Sequence, residues 1–171
     1  MCAKAVALAA RPEGMPKTSD FQIVDVESND PADGEIQVKN ICMSVDPYMR
    51  GRMVDRKSYV PPFQIGEPLT GGAIGKVIKS AHPDFKEGDF VSSHWGWRDG
   101  FTARAEGIER LGEIVAPASE YLGAIGMPGM TAYAGLLEVG ALKDGETVFV
   151  SGAAGAVGSI VGQIAKLKNC H

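Results

Sequence analysis

The chain is poor in the residues that build metal centres and disulfide frameworks: 171 residues include three cysteines and three histidines. Cys2, Cys42 and Cys170 form no C-x-x-C pair, and an odd count without a secretory signal fits a reducing cytoplasm. His82, His94 and His171 have no partner at i, i+4, so they read as surface or hydrogen-bonded histidines rather than ligands, and no metal is expected. Long apolar runs are missing as well. The stretch Ala5 to Ala10 is too short for a signal-peptide core or a membrane span, and Arg11-Pro12 ends it. Basic charge is not in excess: 17 Lys and Arg stand against 21 Asp and Glu, the net charge is -4, and the cations form no patch. A nucleic-acid surface is therefore not expected. What remains is a composition of 44% hydrophobic and 22% charged residues, that of a globular protein long enough for one domain, or one domain and a fragment.

The first part of the chain carries strand signals. Gly34 to Asn40 alternates apolar and polar, while Gly72 to Ile78 and Asp89 to Ser92 are β-rich. Asp33-Gly34, Glu87-Gly88-Asp89 and Arg98-Asp99-Gly100 are turn signals between them, a pattern that suits a β-barrel. Near residue 120 the texture changes. Ser119 can cap a helix through Tyr121 and Leu122, Pro128-Gly129 interrupts, and helical periodicity resumes from Thr131 to Val139. This places one domain over residues 1–120 and the start of another over 121–171.

The last segment, "VFVSGAAGAVGSIVGQIAKLKNCH", reads as a short buried strand (Val148 to Val150), a turn punctuated by Gly152, Gly155 and Gly158, and a helix from Ala156 to Lys168. Glycines let a backbone approach a pyrophosphate, and the helix start offers unpaired N–H groups to an anion. The run Ala153 to Gly158 departs from G-x-G-x-x-G by an alanine in first place, so a plain tight turn packing small residues remains the alternative.

Four segments in this order, "VDPYMRGRM" (Val45 to Met53), "DFKEGDFV" (Asp84 to Val91), "GMPGMTAYAGL" (Gly126 to Leu136) and "SGAAGAVGSIVGQIAKLK" (Ser151 to Lys168), resemble the medium-chain dehydrogenases/reductases. Within that superfamily they resemble the zinc-independent branch of prostaglandin reductases, alkenal double-bond reductases and curcumin reductases. The resemblance implies a GroES-like β-barrel followed by the beginning of a Rossmann domain, and it covers only the N-terminal half of such proteins. It implies NADPH-dependent reduction of the C=C bond of α,β-unsaturated aldehydes and ketones, with a homodimer possible for the full-length protein. Quinone reduction on the same scaffold, or a non-catalytic fragment serving as an interaction module, are the alternatives.

The resemblance also assigns residues. Zinc-dependent relatives carry a cysteine and a Gly-His-Glu at places that here match Met43 and Leu69-Thr70, which cannot replace thiolate and imidazole on zinc. Without a Lewis acid the protein must orient the enone and donate a hydrogen bond or proton to the developing oxyanion, work that tyrosine hydroxyls suit. Tyr48 lies in Asp46-Pro47-Tyr48-Met49-Arg50, where Asp46 can cap a short helical turn, and its counterpart faces the nicotinamide. Tyr59, ahead of a Pro-Pro loop expected to be extended and exposed, corresponds to a substrate-pocket residue. For both, the alternative is a tyrosine anchoring a loop over the barrel. Tyr121 and Tyr133 read as packing residues, and Arg50 as either a cofactor-side charge or a capping residue. Trp95 and Trp97 could wall an apolar pocket or fill the barrel core. Met127 and Thr131 resemble nicotinamide-side contacts, and Gly155, Ala156 and Val157 the backbone that meets the pyrophosphate. The residues that choose NADP over NAD would follow on the next strand, so NADP comes from the branch alone. As it stands the chain is expected to hold a dinucleotide poorly, with the tail beyond Thr147 mobile or buried against another molecule.

Overall fold

Small residues at alternate positions, Ala3, Ala5 and Ala7, turn inward along β1 (Cys2–Leu8), the period of two that a strand imposes. β1 pairs antiparallel with β2 (Phe21–Glu27), Leu8 opposite Phe21 and Cys2 opposite Glu27. The computed structural model describes residues 2–171, which separate into two compact units, a first that ends at Val115 and a second over Ala116–His171.

In the first unit, β3 (Glu35–Met43), β4 (Ala73–Ser80), β5 (Phe90–Ser93), β6 (Gly100–Arg104) and β7 (Glu109–Gly112) form a five-stranded antiparallel sheet in the order β6-β3-β4-β5-β7. The three stretches with strand signals lie on β3, β4 and β5. Gly88, with φ at 94°, makes the turn into β5 that a side chain would resist. Isolated bridges from Ala5 to Arg98, Ala7 to Pro68 and Leu8 to Ile65 tie the β1-β2 pair to the segments linking the sheet strands. Two apolar clusters fill this unit. Ile36, Val38, Val77, Val91, Phe101 and Ile108 lie under the sheet, and Leu8, Met49, Met53, Phe63 and Leu69 lie beneath a single turn of helix, α1 (Tyr48–Arg52).

The second unit departs from the sequence expectations in three ways. Ser119 does not cap: Pro117 holds that position and Ala118–Leu122 is a 3-10 turn, too tight for an α-helical cap. Pro128-Gly129 opens a helix instead of interrupting one, because proline's missing N–H costs nothing in a first turn. That helix, α2 (Met127–Tyr133), runs into a π-type turn over Ala134–Val139, where the Gly140 N–H donates to the Gly135 carbonyl at 2.9 Å. Val148 to Val150 is not a buried strand, and Phe149 is 93% exposed. A buried strand needs neighbours on both sides, and among the described residues only the chain end lies alongside. There the Val148 N–H donates to the His171 carbonyl at 2.7 Å and the His171 N–H to the Glu146 carbonyl at 2.9 Å, the slanted pattern of a parallel pair. α3 (Ala156–Leu167) follows, capped by Lys168, and packs on α2. No helix among the described residues is long and apolar enough to cross a membrane.

Candidate functional site

α1 is held by its underside. Met49 and Met53 are buried against Leu8, Phe63 and Leu69, which leaves the Tyr48 ring on the open side with about a third of its surface exposed. Asp46 does not cap this turn through its side chain. Pro47 is the capping residue, already in helical conformation, and the Asp46 carbonyl accepts from the Met49 N–H at 3.0 Å. A five-residue turn started by proline's fixed φ has no need of a carboxylate cap.

Tyr48 and Tyr59 line one cleft of about 440 Å³, with Pro47, Gly51, Val54, Val60 and Pro62 as apolar wall and Arg50, Arg52, Arg56 and Ser58 as polar wall. Tyr59 stands on the loop after α1 and is 91% exposed, as its place ahead of Pro61-Pro62 suggested. Partial burial pushes the Tyr48 phenol above its ordinary value; the Asp46 carboxylate and Tyr59 add to this, and Arg52 opposes it. Tyr48 therefore keeps its proton throughout the neutral range and can donate it.

Two of the arginines are structural clamps. Arg50 donates to the Gly14 carbonyl through Nη2 (2.8 Å) and Nε (3.2 Å) and to the Pro12 carbonyl (3.3 Å), fastening the loop after β1 beside the cleft. Within this unit Arg50 acts as a loop clamp. Arg11 reciprocates from that loop, donating to the Met53 carbonyl at 3.0 Å. Arg52 donates to the Pro61 carbonyl (3.0 Å) and the Thr70 hydroxyl (3.2 Å), and its guanidinium lies 3.9 Å over the Phe63 ring.

At the places where zinc-dependent relatives carry ligands, the side chains are otherwise engaged. Met43 Sδ accepts from the Trp97 N–H at 3.0 Å, Leu69 is fully buried, and Thr70 receives Arg52. No group of three or more His, Cys, Asp or Glu among the described residues is placed to hold a metal ion. The tryptophans divide their roles: Trp97 stacks on Phe21 at 6.4 Å and lines an apolar cavity of about 340 Å³, while Trp95 stacks on Phe101 at 5.3 Å.

The other five candidate residues lie in the second unit. Met127 opens α2 and is exposed; Thr131 sits one turn on, its hydroxyl donating to the Met127 carbonyl at 2.7 Å. Gly155 is the extended N-cap of α3, Ala156 its first residue, and Val157 is exposed on its first turn. No side chain caps α3 and no acid stands in its first turn, so the first N–H groups are left for an anion. The turn is closely packed: a Cβ on Gly158 would collide with the Gly152 carbonyl and lie 2.9 Å from the Ala153 Cα. Gly129 of α2 is equally tight against Ala124.

Residues 4–111 match the family described as the N-terminal domain of oxidoreductase. This chain belongs to that family of the medium-chain dehydrogenase/reductase superfamily. An NADPH-dependent curcumin reductase of Escherichia coli is 44% identical over 164 residues, spanning 96% of this chain and 48% of the relative. A 2-alkenal reductase (NADP(+)-dependent) of Nicotiana tabacum is 44% identical over 175 residues, spanning 98% and 50%. The crystal structure of CurA in complex with NADPH from Vibrio vulnificus superposes with a TM-score of 0.88 at 43% identity, over 98% of this chain and 50% of that one. The chain thus spans about half the length of these relatives, and its fold is a GroES-like barrel domain followed by the first part of a Rossmann domain.

Sequence reasoning overlooked Arg52, Phe63 and Arg56. The signal was present in "RGRMVDR" (Arg50 to Arg56), three arginines within seven residues, but their division between clamps and a free cation depends on partners distant along the chain.

Proposed function

We propose that this chain carries the substrate side and the pyrophosphate turn of an NADPH-dependent reductase acting on the C=C bond of α,β-unsaturated aldehydes and ketones. The observation that carries this reading is the shared cleft of Tyr48 and Tyr59, two phenols on separate elements lining one space with an apolar wall and a cationic one. The names of the relatives, curcumin reductase and 2-alkenal reductase, support the substrate class.

When bound, NADPH supplies the hydride. The residues present fit it: the uncapped first turn of α3, at Gly155, Ala156 and Val157, offers N–H groups to the pyrophosphate, and the close packing at Gly158 keeps that backbone free of side chains. Met127 and Thr131, both exposed on α2, would meet the nicotinamide side. Tyr48 donates a hydrogen bond to the substrate carbonyl oxygen, where negative charge develops as the β-carbon is reduced. Its raised proton affinity keeps that donor loaded at neutral pH. Tyr59 closes the cleft from the loop and can relay the proton. With Met43, Leu69 and Thr70 at the ligand places, the chemistry is zinc-independent.

The test joins this chain to a complete nucleotide domain and follows NADPH consumption. Enals and enones should be reduced and saturated alcohols ignored. Oxidation of simple alcohols that a chelator abolishes would overturn the reading.

A further inference from the structure

Arg52 stands where the Tyr59 loop leaves α1 and returns to it. Its carbonyl accepts from the Phe63 N–H at 2.7 Å, its Nε donates to the Pro61 carbonyl at 3.0 Å, and its Nη1 donates to the Thr70 hydroxyl at 3.2 Å. Main chain and side chain thus close residues 53–62 on a single base, and the exposed Tyr59 depends on that base for its place in the cleft. The same guanidinium is a cation in the cleft wall. Tyr48 and Arg52 are the first and last residues of α1, four positions apart and so on one face, and both line the cleft. Of the other two arginines there, Arg50 is drawn to the Pro12 and Gly14 carbonyls, and the exposed Arg56 has no side-chain hydrogen bond or ion pair among the described residues. Partial burial, the Asp46 carboxylate and Tyr59 disfavour ionisation of the Tyr48 phenol, and Arg52 is the group that favours it. A cation beside a phenol that donates to an oxyanion stabilises the negative charge at either end of that hydrogen bond, wherever the proton lies.

We propose that Arg52 is a positioning residue for the reduction: it fixes the Tyr59 loop at its base and holds a positive charge beside Tyr48 while negative charge develops on the substrate oxygen. This rests on the enone-reductase reading of the same cleft.

The experiment compares Arg52→Lys and Arg52→Gln with wild type in the protein with a complete nucleotide domain. Lysine keeps the charge but not the planar fork that reaches Pro61 and Thr70 together, and glutamine keeps neither. Loosening the loop should raise KM for a simple enone about threefold in both variants. Loss of the charge should lower kcat about tenfold in Arg52→Gln, whereas Arg52→Lys should stay within about threefold of wild type. Equal losses of kcat in the two variants, or a wild-type KM in both, would overturn the proposal. Should Arg52→Gln fail to fold, Arg52→Lys decides through its KM, and a wild-type value again overturns it. A second readout does not depend on turnover: in the 171-residue chain with labelled tyrosine rings, NMR titration should show the Tyr48 phenol ionising at higher pH in Arg52→Gln than in wild type or Arg52→Lys. If wild type reduces no enone, the enone-reductase reading falls; if Tyr48 ionises at the same pH in all three proteins, this proposal falls whatever the turnover.

Discussion

The Arg52 guanidinium lies 3.9 Å over the ring of Phe63, joining the last residue of α1 to the apolar core beneath it. Arg52 also donates to Pro61 and Thr70, so one side chain holds three separate segments at the cleft. Arg52→Ala should destabilise the first unit by about 1–2 kcal/mol, the size of one stacked cation and a net hydrogen bond. Urea unfolding of the chain measures this. A midpoint equal to that of wild type would show that the clamp contributes nothing.

Two glycines near the end of the chain should answer oppositely to alanine. At Gly158 the new methyl would strike the Gly152 carbonyl, so the turn must open. Stability should fall, and in the protein with a complete nucleotide domain NADPH should bind more weakly. At Gly162, on the same helix, a Cβ meets nothing within 4 Å, and alanine should stabilise by about 0.5–1 kcal/mol. Thermal unfolding distinguishes them, and similar shifts at both positions would refute the packing assigned to Gly158.

Tyr48→Phe should lower kcat of the complete reductase by about a hundredfold with NADPH affinity retained, as loss of an oxyanion donor does. Tyr59→Phe should cost less, because the exposed loop lets water replace the hydroxyl. Steady-state kinetics on an enone decides the matter, and unchanged kcat in both variants would return the tyrosines to loop anchoring.

The raised Tyr48 value has a defined consequence for pH. Folding favours the protonated phenol, so its contribution to stability is complete below the ordinary value of 10.0 and is lost as pH rises through the higher folded value. Wild type should therefore lose stability above about pH 10 more steeply than Tyr48→Phe, since about 10 is where an unfolded tyrosine ionises. Parallel alkaline slopes in urea titrations of the two proteins would contradict the partial burial assigned to this ring.

Local patterns foretold local structure wherever one residue type dominates the backbone choice. The alternation at Gly34 to Asn40 lies on β3, Gly88 takes its left-handed turn, and the period of 3.6 after Gly155 becomes α3. The same reasoning failed where a pattern has two outcomes. Pro128-Gly129 can break a helix or begin one, and the close fit of Gly129 on Ala124 goes with the second. Val148 to Val150 has strand composition, yet a ladder requires partners, and among the described residues His171 alone supplies them.

The sequence by itself determined the residue types available for chemistry: tyrosines on either side of an arginine-rich loop, no zinc ligands at the matching places, and a glycine turn opening a helix. The tyrosines, arginines and glycines follow from composition and spacing, and the zinc places from the family resemblance; neither needs knowledge of what lies far along the chain. Only the tertiary structure decided which of them act together. Tyr48 and Tyr59 share a cleft because Met49 and Met53 are drawn down onto Leu8 and Leu69, and Arg50 and Arg52 are occupied because the carbonyls of Pro12, Gly14 and Pro61 come within 3.3 Å of them. Arg56 stays free for the same reason: a side chain's partners are set by long-range packing, which spacing along the chain does not encode.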